Sequence, residues 1–101
     1  MSRKDHFFQL VTREKERIQG LGVKEIGLFG SVVRGEDTEN SDYDVLVGFD
    51  RAKKSYRNFL SLVDLLEEGL KNEVELVTKE SLSPYMAPYI LEEVEYAPIA
   101  S

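Results

Sequence analysis

At 101 residues, with 42% apolar and 32% charged side chains, the chain is sized for one domain, residues 1–101, around a single core. Its net charge of −6 argues against a protein that grips nucleic acid by bulk electrostatics, because such proteins carry a basic face. No cysteine is present, which excludes disulfides and thiolate metal sites and suits a reducing cytoplasm.

"MSRKDHFFQL" has a short basic patch but no apolar stretch, so no secretory signal is expected. No apolar run approaches the roughly 18 residues that would mark a membrane span. Residues 5–19 place Phe7, Val11 and Ile18 at helical spacing and stop at Gly20 and Gly22, which predicts an amphipathic helix. "VKEIGLFG" predicts a short strand over residues 25–29, closed by Gly30. "YDVLVGF", rich in valine and aromatics, predicts a second, well-buried strand.

Residues 54–71 set Tyr56, Phe59, Leu60, Val63, Leu66 and Leu70 on one helical face. "EVELV" predicts a third strand, expected to be buried. Ser83 and Pro84 predict the start of a last helix with Met86, Tyr89 and Ile90 facing inward. Residues 93–97 are expected to close the sheet as a short strand. The order helix, strand, strand, helix, strand, helix predicts an α/β or α+β sandwich, a mixed sheet of three to four strands flanked by helices.

Chemistry concentrates in "FGSVVRGEDTENSDYDVLV", residues 29–47. A strand ending at Gly30 and turning into a helical turn at Ser31 exposes backbone N–H groups that suit a phosphate, or it is merely a turn with a cap. Arg34 lies three residues on, on the face of Ser31. It can reach the same anion or lock the loop. Asp42 and Asp44 are two apart and would share one strand face. Such a pair repels unless a cation lies between its members, whereas a solvated strand start, with Ser41 or Asp42 as a turn residue, needs none. Magnesium takes oxygen ligands, usually one or two carboxylates plus substrate phosphates. Glu75 is flanked by Val74 and Leu76 in a strand expected to be buried, where it needs a partner or a metal; on an exposed sheet face it needs neither.

"GLFGSVVRGEDTENSDYDVLV" resembles the Gly-Ser, spacer, Asp-x-Asp signature of the DNA polymerase beta-like nucleotidyltransferases, above all the minimal nucleotidyltransferases. The resemblance extends through "EVELVT" to "LSPYMAPYILEEVEYA". It implies that Gly30 and Ser31, with Arg34 and Ser41, hold a nucleotide, and that Asp42 and Asp44 hold divalent metal, two Mg2+ ions being expected. A third carboxylate, normally aspartate, falls on Glu75, one methylene longer. The implied reaction is transfer of a nucleoside monophosphate, from ATP, to a hydroxyl. Larger relatives carry a second domain for their acceptor, and no residues remain here for one. The resemblance therefore implies a protein acceptor, a HEPN-type toxin, with this chain as its antitoxin. An inert module that neutralises the same partner by contact is the alternative. The apolar "PYMAPYI" could serve self-association.

Overall fold

The computed structural model describes residues 2–99. The chain opens with α1 (Arg3–Arg13) and α2 (Lys15–Gly20). Ser2 and Asp5 cap α1 reciprocally: the Asp5 N–H donates to the Ser2 hydroxyl, and the Ser2 N–H donates to the Asp5 carboxylate. The expected single helix over residues 5–19 is thus two, joined at Glu14. Backbone bonding continues across the joint, with the Ile18 N–H on the Glu14 carbonyl. Phe7, Val11 and Ile18 stay on one buried face.

Strand β1 (Val23–Phe29) is two residues longer than expected, and a bulge between Val23 and Glu25 absorbs the difference. A single turn of helix, α3 (Ser31–Arg34), leads by a loop to β2 (Tyr43–Phe49), whose bounds are those expected. Helix α4 (Tyr56–Leu70), β3 (Val74–Thr78), a short 3-10 turn (Lys79–Ser81), α5 (Ala87–Glu93) and β4 (Glu95–Tyr96) follow. The sheet order is β3-β2-β1-β4. β2 runs parallel to β3 and antiparallel to β1, and β4 runs antiparallel to β1. This is the mixed four-stranded sheet of an α+β fold.

Alternation along the strands gives the sheet two unlike faces. Ile26 and Leu28 of β1 and Tyr43, Val45, Val47 and Phe49 of β2 join Phe7, Leu10, Val11, Ile18, Leu62 and Leu66 in one core. The opposite face carries Phe29, Asp44 and Glu75 in one row and Gly27, Leu46 and Val77 in the next. Where the C-terminal segment crosses this second face it needs a bare backbone. A Cβ on Gly27 would lie 2.7 Å from Val94 and 3.0 Å from Tyr96.

Three expectations are corrected. The α4 face that packs is Leu62, Leu65, Leu66 and Leu70, with Phe59 and Val63 half-buried; Tyr56 is 77% exposed and Leu60 also lies outside. Helix α5 begins at Ala87, with Pro88 in its first turn, and buries none of its residues: Met86 and Tyr89 point outward. Strand β3 is an edge strand, so Val74 and Leu76 are only partly covered and Glu75 is exposed. Among the described residues no fifth strand pairs with β3 to cover it.

Candidate active site

The turn after β1 and the start of β2 are built against each other. Phe29 pairs with Asp44 across the antiparallel ladder, so the next residue, Gly30, turns directly over the Asp44 side chain. Gly30 has φ +79°, and a Cβ there would lie 2.2 Å from Asp44 Oδ2. Only glycine serves, on both counts. The Gly-Ser turn and the second aspartate are therefore one structural unit. Ser31 then opens α3, with the Arg34 N–H closing the turn on the Gly30 carbonyl.

Asp44 stands opposite Glu75 in the parallel pairing of β2 and β3. Burial, the hydrogen bond to Glu75 and the negative charges of Glu75 and Asp42 push the Asp44 carboxyl up to about 6, against a smaller opposing pull from Arg34. Two carboxylates facing each other across the ladder, with the charge of Asp42 nearby and one cation, Arg34, opposing it, form a site whose own charges are unbalanced. Asp42 lies just before β2, in the loop rather than on the strand, and is exposed. The expected alternation of two strand carboxylates is corrected to that extent, because β2 takes up its regular pairing only from Tyr43. Among the described residues no three His, Asp or Glu side chains are drawn close enough to enclose an ion by themselves.

The loop between α3 and β2 is held from outside. The Arg3 guanidinium donates to the Asp37 carboxylate at 3.2 Å, to the Thr38 carbonyl at 2.9 Å and to the Ser41 carbonyl, and lies 4.7 Å from the centre of the Tyr43 ring. The Tyr43 hydroxyl returns a bond to the Arg3 carbonyl. The Ser41 hydroxyl accepts from the Thr38 N–H at 2.9 Å. Ser41 thus shapes the loop.

Arg34 is also engaged. Its Nε donates to Glu36 at 2.7 Å and its Nη1 to Glu93 Oε1 at 2.5 Å. The other Glu93 oxygen accepts from the Gly30 N–H at 2.9 Å. Burial works against the charge of Glu93, but the Arg34 guanidinium and the Gly30 N–H hold its carboxyl below the usual range. A cavity of about 450 Å3 opens beside this clamp, lined by Phe29, Gly30, Arg34, Met86, Tyr89 and Ile90 among others.

A glycine turn at a helix start, set against a carboxylate pair on the open face of a small mixed sheet, is an arrangement for phosphate and cation chemistry. The sequence model "Nucleotidyltransferase domain" matches residues 9–97. The chain belongs to the nucleotidyltransferase domain family. The "Protein adenylyltransferase MntA" of Thermococcus cleftensis is 45% identical over 87 residues, covering 86% of this chain and 87% of the relative. A solved structure of a minimal nucleotidyltransferase superposes with a TM-score of 0.72 at 27% identity, over 94% of this chain and 95% of that one. A second solved structure is of a tri-AMPylated Shewanella oneidensis HEPN toxin in complex with an MNT antitoxin. It aligns at a TM-score of 0.54 and 20% identity, covering 84% of this chain and 69% of that one, a likeness of fold.

In this nucleotidyltransferase the structure brings together Gly30, Ser31, Asp44 and Glu75, and places Asp42 near enough to act on Asp44 through its charge. Arg34 sits at the same turn, held by its two glutamates, and Ser41 is turned into its loop. Two contributors were missed from sequence. Glu93, expected at the start of the last strand, is the final residue of α5 and reaches back 63 positions to Gly30. Arg3, one of several cations in the opening segment, organises a loop 34 to 38 positions away. Neither carries a local signal, since each is defined by a partner distant in the chain.

Proposed function

We propose that this nucleotidyltransferase moves AMP from ATP to a hydroxyl of a partner protein, a HEPN-type toxin, and so serves as the antitoxin of the pair. The observation that carries the reading is the packing of Gly30 over Asp44 with Glu75 opposite, which sets a phosphate turn and a carboxylate pair side by side. The protein acceptor and its class are supported by the name of the Thermococcus relative and by the shared fold of the antitoxin bound to an AMPylated HEPN toxin.

The donor set fits Mg2+: oxygen ligands alone, and like charges that a cation would relieve. Asp42, Asp44 and Glu75 would hold two such ions, with phosphate oxygens completing the shell that the protein leaves open. When bound, Mg2+ neutralises the triphosphate and lowers the pKa of the attacking hydroxyl.

The chain's own residues do the rest. Ser31 and the N–H groups at the start of α3 receive the triphosphate tail. The acceptor oxygen bonds to the α-phosphorus while the bond to the β-phosphate bridging oxygen breaks and pyrophosphate leaves. The hydroxyl proton passes to a carboxylate, and Glu75, exposed at the sheet edge, either takes it as general base or holds the metal on the acceptor side. Positioning and charge balance supply most of the rate in phosphoryl transfer of this kind.

ATP with Mg2+ is expected to raise the melting temperature, by about 2.7 kcal/mol of stabilisation at 100 times Kd, while ATP with EDTA does not. A contact-only antitoxin is the second reading, favoured by the glutamate at position 75. It requires Asp42→Ala and Asp44→Ala variants to protect cells from the toxin. The transferase reading requires both to fail while remaining folded.

A further inference from the structure

Two donors at the proposed phosphate turn, the Gly30 N–H and the Arg34 guanidinium, are satisfied by one carboxylate from a distant element. Glu93 places one oxygen on each, at 2.9 and 2.5 Å. Two oxygens of a single anion bridging a backbone N–H and a guanidinium is also how a phosphate would bind there. The carboxylate and a phosphate cannot share the seat.

The chain is anchored beyond Glu93 by Lys4 on Glu95 and by the buried Ala97 and Ile99, but the helix that carries Glu93 is itself held only lightly. Helix α5 buries none of its seven residues, lacks a side-chain cap at its N-terminus, and leaves Tyr89 71% exposed. Strand β4 adds only two paired residues. The cavity of about 450 Å3 between α5 and the Gly30 turn gives the helix end room to move. Arg34 would not be lost on release, because Glu36 holds its Nε independently.

We propose that Glu93 is an internal stand-in for a substrate phosphate: it closes the Gly30–Arg34 anion seat when no nucleotide is bound, and ATP binds by displacing it together with the end of α5. The inference rests on the nucleotidyltransferase reading above. It assigns to α5 a role in gating access, and it makes the nucleotide compete with part of the protein itself.

The test is titration of the full chain, wild type and Glu93→Gln, with ATP and Mg2+ and with inorganic triphosphate, followed by calorimetry. The amide keeps the shape of the side chain and removes the charge, so both ligands are expected to bind about tenfold tighter to the variant. Hydrogen exchange on the wild type guards against a variant that folds poorly: amides of residues 87–96 should exchange faster when ATP is bound. Equal or weaker binding by a folded Glu93→Gln, or slower exchange in α5 with ATP, would overturn the gate and make Glu93 a fixed support for Gly30. Absence of binding by both proteins would overturn the nucleotide reading itself, and the gate with it.

Discussion

Asp44 is half-buried beneath Gly30, faces Glu75, and has its carboxyl pushed up to about 6. An ordinary aspartate titrates near 4, so between about pH 4 and 6 the folded chain holds a proton that the unfolded chain releases. Stability from this group is complete below that window and is lost as the pH rises through it. At neutral pH the ligand-free site is therefore under electrostatic strain. Asp44→Asn is expected to stabilise the ligand-free protein at pH 7 by about 1 kcal/mol, the full shift being discounted for solvent screening. That corresponds to roughly 4–8 °C for a domain of this size. Melting curves at pH 4.5 and 7 check it: the gain should shrink at the lower pH. A variant less stable than wild type at pH 7 would contradict the assignment.

Elements differ in how much of their role was written locally. Strand β2 was legible to the residue because "YDVLVGF" is buried on both sides over most of its length. Helix α4 was legible in extent but not in facing: Tyr56 and Leu60 fit its apolar stripe yet have no neighbour to cover them. Strand β3 was legible as a strand, while its place at the edge depends on pairing, which short apolar runs do not reveal. As candidates, Gly30, Ser31, Asp42 and Asp44 were readable from their spacing and Glu75 from the resemblance, and the fold brings Gly30, Asp44 and Glu75 together. Arg3 and Glu93 were not readable, because their partners are remote in sequence.

The loop from Gly35 to Asp42 has no core of its own and borrows order from α1 through Arg3. Arg3→Ala is expected to remove its bonds to Asp37, Thr38 and Ser41 together with its contact on Tyr43, at a cost of about 1–3 kcal/mol. Limited proteolysis should then cut within residues 36–42 while α4 stays protected. Unchanged cleavage and melting would show that the loop holds its shape without the clamp.

Across the whole molecule α1, α2 and α4 pack on one face of the sheet, and the charged row of Asp44 and Glu75 lies on the other. No helix among the described residues is long and apolar enough to cross a membrane. On the reading proposed above, a net charge of −6 favours a basic protein acceptor.

That acceptor is the centre of the account, and one measurement addresses it directly. The chain is incubated with a HEPN partner, Mg2+ and ATP labelled at the α-phosphate, alongside Asp42→Ala and Glu75→Gln. The label is expected on the partner with wild type, abolished by Asp42→Ala and reduced about 100-fold by Glu75→Gln. No label on the partner with any nucleotide or divalent metal, or equal labelling with Asp42→Ala, would contradict it.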